Sequence, residues 1–209
     1  MKNLYHFSIL ILTGMVFCMP NAHASEAPKA TETCAKCHNE NGISDDAEIA
    51  TIAGASSFFL ENQLAIFAEE ARPCVAKHFQ EESDITEDDH CELAGNLGDA
   101  KITELAAYYA SLPVTAPQQE VDEALADRGK SIHTASCDRC HTDGGSLALD
   151  DAGILAVQWK QYLLEQFQHY QQGERWQPEK MQPEMDKLSA EDMQALAEFY
   201  AREGLQRFE

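Results

Sequence analysis

Two pentapeptides in this chain, Cys34-Ala35-Lys36-Cys37-His38 and Cys137-Asp138-Arg139-Cys140-His141, carry the same arrangement of reactive side chains. Two thiols three residues apart fall on one helical turn, where both can add to the vinyl groups of a single porphyrin. The histidine that follows each pair then places an imidazole nitrogen under the iron. Other chemistries fit less well. Structural zinc needs four ligands in a fixed arrangement, and a dithiol redox pair belongs in a strand–helix–strand setting that this sequence lacks. The motifs therefore predict two covalently attached haems c, held at Cys34, Cys37, Cys137 and Cys140, with His38 and His141 as proximal ligands.

Positioning two such groups calls for two similar frames, and the sequence contains an internal repeat. A shift of 103 residues lays Cys34 on Cys137, Phe59-Leu60 on Tyr162-Leu163, Gln63-Leu64 on Gln166-Phe167 and Phe67 on Tyr170. Both stretches, 57–70 and 159–172, have apolar residues at helical spacing. Nearer the end of each half the shift becomes 91, which lays "LGDAKITELAAYY" (97–109) on "LSAEDMQALAEFY" (188–200). Asp99 and Ser189 are the expected helix N-caps. The two shifts differ by 12, so the first half holds about that many extra residues between Phe67 and Leu97. Between the halves, "SLPVTAPQQE" (111–120) has two prolines and no apolar periodicity and reads as a linker. No strand-like alternation stands out. The expectation is an all-α chain of two tandem haem domains, 25–112 and 121–209, joined by a linker at 113–120.

The N-terminus places Lys2 before an apolar run from Phe7 to Met19 and then Ala22-His23-Ala24. This is the pattern of a secretory signal, cleaved after Ala24, and the run is short for a membrane span. Lipid attachment at Cys18 is the rival reading, disfavoured by the bulk of Phe17. The expected location is the periplasm, with no membrane segment in the mature chain. The formal net charge is −21, with 36 acidic and 15 basic residues. Such a chain repels nucleic acid and anionic lipid, and suits redox protein partners that present basic docking surfaces. Residues 25–117 hold 18 acidic and 5 basic side chains, and residues 118–209 hold 18 and 9.

Two C-x-x-C-H domains of about 90 residues, each closing on a helix such as "ELAAYYASL" or "ALAEFYARE", resemble the dihaem cytochromes c of the cytochrome c4 type. The haem subunit of flavocytochrome c sulfide dehydrogenase belongs to the same group. The resemblance covers essentially the whole mature chain. It implies two class I cytochrome c folds packed about a pseudo-twofold axis. In that family a ligand methionine stands seven residues before the leucine of L-S-x-x-D, which here points to Met181, with Met185 as the alternative. No methionine lies between Met19 and Met181, and the same count back from Leu97 reaches His90. The resemblance thus implies His/Met ligation of haem 2 by His141 and Met181, and a departure to bis-His ligation of haem 1 by His38 and His90. His78 is the rival histidine. Cys74 and Cys91 are the two remaining thiols, and an oxidising compartment favours their pairing as a disulfide. A thiolate from one of them on haem 1 is the sharper alternative, because the related thiosulfate dehydrogenases use His/Cys ligation.

Two six-coordinate haems leave no open position for a substrate. The expected function is electron transfer between redox partners, as a free carrier or as a subunit of a dehydrogenase complex. A thiosulfate-dehydrogenase-like enzyme is the alternative. Methionine ligation raises the potential of haem 2 relative to a bis-His haem 1, so electrons are expected to enter at the first domain and leave from the second.

Overall fold

A computed structural model describes residues 27–74 and 89–208. The leader with Cys18, His78 and most of the acidic run lie outside the described residues. All regular structure among the described residues is helical. The first half contains α1 (Thr31–His38), α2 (Ser57–Ala68), α3 (His90–Leu97) and α4 (Asp99–Ser111). The second contains α5 (Glu123–Ile132), which runs straight into a π-helical turn (His133–Cys137), then α6 (Lys160–Gln172), the one-turn α7 (Gln182–Met185) and α8 (Ala190–Arg207).

Helices α2 and α6 begin 103 residues apart, and α4 and α8 begin 91 apart, so both sequence registers survive as helix starts. The local reasons lie in the caps. Ser56 accepts from the backbone N–H of Phe59 at the start of α2. Ser189 and Asp192 form a reciprocal capping box at the start of α8. Asp99, expected to cap α4, is instead its first residue, and Gly98 takes the cap position with φ 72°. Only Gly98 separates α3 from α4, so the chain must reverse through the left-handed region, where glycine pays no Cβ penalty. Ser189 occupies the matching place before α8 because α7 ends earlier and leaves room for an extended cap.

Each half has its own apolar core. In the first, Ala55, Leu60, Leu105, Ala106 and Tyr109 come together. In the second, Leu163, Phe167, Met185, Met193, Leu196, Phe199 and Tyr200 do so. Helices α5 and α8 cross tightly at Gly129, where an added Cβ would strike the backbone carbonyl of Ala195 and the Phe199 side chain. The connecting segment is not loose. Ala116 and Pro117 are buried, the Ala116 N–H donates to the Phe208 carbonyl, and Gln119 bonds the backbone of Gln158 and Lys160.

The halves are also joined directly. Gln158 accepts from the Thr51 N–H at 2.9 Å and donates back to the Thr51 carbonyl at 2.8 Å, mimicking one rung of a ladder. Trp159 Nε1 donates to the Ser44 carbonyl, and the Trp176 N–H to the Ala71 carbonyl. These bonds hold the two helical frames face to face across one shared cavity.

Candidate functional site

In the first half, α1 carries Cys34, Cys37 and His38 on adjacent turns, with both cysteines outside the Cys74–Cys91 disulfide. His38 Nδ1 lies 2.7 Å from the Ala50 carbonyl. That bond fixes the tautomer with the proton on Nδ1 and leaves Nε2 as the lone-pair nitrogen, the arrangement a metal-binding imidazole needs. Burial, with lesser help from His90 and Arg72, lowers the His38 pKa to about 4 against the opposing pull of the Ala50 carbonyl. The ring therefore stays neutral at any physiological pH.

His90 opens α3 and faces this histidine. The ring centroids stand 6.0 Å apart at an interplanar angle of 77°. An imidazole nitrogen bonds a metal at about 2 Å. Two such bonds plus two ring radii give a centroid separation of roughly 6 Å, so the pair is spaced for one metal atom between them. Phe67 stacks on His90 at 4.7 Å, and the Arg72 guanidinium covers Phe67 at 4.2 Å. The backbone around His90 is fixed from both sides. Its N–H donates to the Cys74 carbonyl at 2.9 Å, Cys91 is disulfide-bonded to Cys74, and the Asp89 carboxylate caps the helix through the N–H groups of Cys91 and Glu92.

In the second half the attachment motif sits differently. Cys137 ends the π-helical turn, and Cys140 and His141 follow in a turn rather than on a regular helix. Burial lowers the His141 pKa to about 4, and its Nδ1 is buried without a hydrogen-bond partner. Met181 immediately precedes α7, as His90 opens α3, and packs half-buried against the second core. Met185, one turn on, is a core residue at 6% exposure, and Met193 is buried inside α8.

A tyrosine stands by the first thiol of each motif. Tyr109 interacts with Cys34 and Tyr200 with Cys137; the tyrosines are related by the 91-residue shift and the cysteines by the 103-residue shift. Burial raises both thiol pKa values, and burial likewise raises both phenols far above their ordinary range. The environments differ in one respect. The Tyr200 hydroxyl lies 3.0 Å from His133 Nδ1, whereas the Tyr109 hydroxyl has only the Cys34 thiol beside it. His133 is thus a core histidine. His169 is partly buried beside Glu165 and Glu174.

One cavity of about 1160 Å³ joins the halves, above the roughly 300–1,000 Å³ of a pocket for a single small ligand. Its wall includes Cys34, Cys37, Cys137 and Cys140 with His38, His90, His141 and Met181. Where the halves meet, Arg72 and Arg175 form a cluster that the sequence reading missed. Arg72 donates to Gln63 at 2.6 Å in its own half and to Gln166 at 3.1 Å in the other. Arg175 reciprocates, to Gln166 at 2.6 Å and Gln63 at 2.7 Å. Both arginines are at least nine-tenths buried. Burial and the neighbouring Arg175 push the Arg72 pKa down, and its Nε has no partner. Among the described residues no carboxylate forms an ion pair with either guanidinium.

Two buried cations with no counter-charge among the described residues call for anions. Haem carries two carboxylate arms, and the cavity offers thiols for its vinyl groups, neutral imidazoles for its iron and this arginine pair for its carboxylates. The residues present fit two haems.

The comparisons with known proteins point to cytochrome c relatives. Residues 124–199 match the family described as cytochrome C oxidase, cbb3-type, subunit III. No curated protein matches the chain by sequence. Cytochrome c4 from Pseudomonas stutzeri, in its reduced recombinant form, superposes with a TM-score of 0.65 at 21% identity over 83% of this chain and 94% of that one. Cytochrome c4 from Acidithiobacillus ferrooxidans gives 0.63 at 22% identity over 81% and 98%. Thiosulfate dehydrogenase (TsdBA) from Marichromatium purpuratum gives 0.62 at 28% identity over 80% of this chain. The chain spans 36% of that protein's length. With that family match in its second half and this likeness of fold over about four-fifths of its length, the chain resembles the dihaem cytochromes c of the cytochrome c4 type.

Proposed function

We propose that this chain is an exported dihaem cytochrome c that passes electrons between protein partners. Cys34 and Cys37 attach haem 1 and Cys137 and Cys140 attach haem 2. His38 and His90 would hold the iron of the first, and His141 and Met181 that of the second. When bound, haem supplies a one-electron couple; the chain supplies ligands, an apolar enclosure and a route between the halves. The observation that carries the reading is the His38–His90 spacing of 6.0 Å inside a cavity reached by both attachment motifs. The neutral His38 imidazole, its hydrogen-bonded Nδ1 and the clamped backbone at His90 favour a filled coordination sphere over an open one.

The unlike sixth ligands give the electron a direction. Methionine on haem 2 raises its potential relative to bis-His haem 1, so electrons enter through residues 25–112 and leave through residues 121–209. Partners with basic faces suit the acidic surface.

A second reading draws on the 28% identity to TsdBA: thiosulfate oxidation at a Cys-ligated haem 1. The Cys74–Cys91 disulfide speaks against it, because it occupies the thiol nearest the site. Electron paramagnetic resonance of the purified ferric protein separates the two. Electron transfer predicts one bis-His and one His/Met low-spin signal of equal weight. A His/thiolate signal in place of the bis-His one would sink the first reading in favour of the second. Intact mass adds the haem count, and N-terminal sequencing tests a mature chain that begins at Ser25.

A further inference from the structure

The interdomain cluster is symmetric in every polar member but one. The 103-residue shift carries Gln63 onto Gln166 and Arg72 onto Arg175, and each of these four bonds across to the other half. The same shift carries Phe59 onto Tyr162. Both rings line the shared cavity. Phe59 lies against Gly153, where an added Cβ would come within 2.8 Å of the ring. Tyr162 brings its hydroxyl beside both guanidiniums: burial pushes its pKa up, and the charges of Arg175 and Arg72 outweigh that and lower it.

Donor and acceptor counts then limit what that hydroxyl can do. Arginine has only N–H donors, so the phenol oxygen accepts from the pair and its own O–H must find another acceptor. The Gln63 and Gln166 oxygens each already accept two guanidinium N–H bonds. Two buried guanidiniums that pair with no carboxylate among the described residues attract one as their acceptor partner, and a carboxylate there can also accept the phenolic hydrogen. Tyr162 stands one helical turn from Gln166 on α6, a helix whose Leu163 and Phe167 belong to the second core beside Met181. Its donor therefore belongs to the second half, and Phe59 gives the first half no equivalent.

We propose that Tyr162 is a positioning residue that donates its phenolic hydrogen to a carboxylate of the second haem on the Arg72–Arg175 clamp, raising that haem's potential relative to the first. A hydrogen bond drawing negative charge away from the porphyrin edge favours the reduced iron, which makes this a lever additional to the axial ligands. The inference rests on the dihaem reading above.

Tyr162→Phe tests it, because Phe59 shows that the fold accepts phenylalanine at the equivalent place. Haem content, visible spectrum and thermal midpoint are measured first on wild type and variant, followed by a redox titration resolving both haems. The expected result is two haems retained and a several-fold shift, toward haem 1, in the equilibrium constant that shares one electron between them. Both haems retained with that constant unmoved would overturn the proposal, even if thermal stability changed. Should Tyr162→Phe lose haem, Phe59→Tyr decides. A donor added to the first half should shift the same constant toward haem 1, and an unchanged constant overturns the proposal. A wild-type protein without two haems overturns the dihaem reading itself, before any variant is compared.

Discussion

His90 and Met181 hold the same place in two copies of one frame, each at the start of the short helix that leads to the closing helix. The place was legible in the sequence because the 91-residue register fixes it without reference to residue type. The clamp around His90 is only partly legible. Two spare cysteines suggest a disulfide, but the His90 N–H to Cys74 carbonyl bond depends on how the chain returns after the extra residues. Two predictions belong at this scale. His90→Met should replace the bis-His signal by a second His/Met signal and narrow the gap between the two potentials, as measured by paramagnetic resonance and redox titration. An unchanged bis-His signal would point to another histidine. Replacing Cys74 and Cys91 by serine removes a cross-link over 17 residues. Chemical denaturation should then show a loss of about 3 kcal/mol. A matching loss on reducing the wild-type disulfide, recovered on reoxidation, would confirm the cross-link as its source.

Helix positions were largely readable from periodicity, since α2 with α6 and α4 with α8 start at the spacings the repeat gives. Two local features were not. The second attachment motif leaves a π-helical turn instead of lying on one α-turn, and α4 is capped by Gly98 instead of Asp99. Both depend on the junction with a neighbouring element, which single-helix patterns do not encode. The crossing of α5 and α8 is a third such feature. Gly129 lies in a helix interior, where glycine is about 1 kcal/mol worse than alanine on propensity alone. Its value appears only in packing, since any Cβ would drive into the Ala195 carbonyl. Gly129→Val should therefore destabilise the second half by about 3 kcal/mol in spite of its lower backbone entropy in the unfolded chain. Calorimetry should show this loss. A variant as stable as wild type would mean that the two helices can separate there at little cost.

The docking of the halves was the least legible level. The 103-residue shift contains the Arg72–Arg175 correspondence, and two arginines at matching places in so acidic a chain were an available signal. What the shift cannot show is that matching residues face each other, because that follows from the orientation of one frame against the other. The Gln158–Thr51 pair and the packed connecting segment set that orientation. Net charge acts at the same scale. With 36 acidic against 15 basic residues, the molecule presents a field that a basic partner feels before contact. The screening length shrinks from about 30 Å at 0.01 M salt to about 8 Å at 0.15 M. Reduction by a basic redox protein should therefore slow by about tenfold or more over that range, measured by stopped-flow absorbance. An acidic donor should show the opposite trend, because salt relieves its repulsion. Neutralising the acidic run between Glu81 and Glu92 to glutamine and asparagine should flatten the salt dependence for the basic donor more than an equal number of changes in residues 118–209. Equal flattening from either half would mean that the field steers partners to the molecule without favouring the first half as the point of entry.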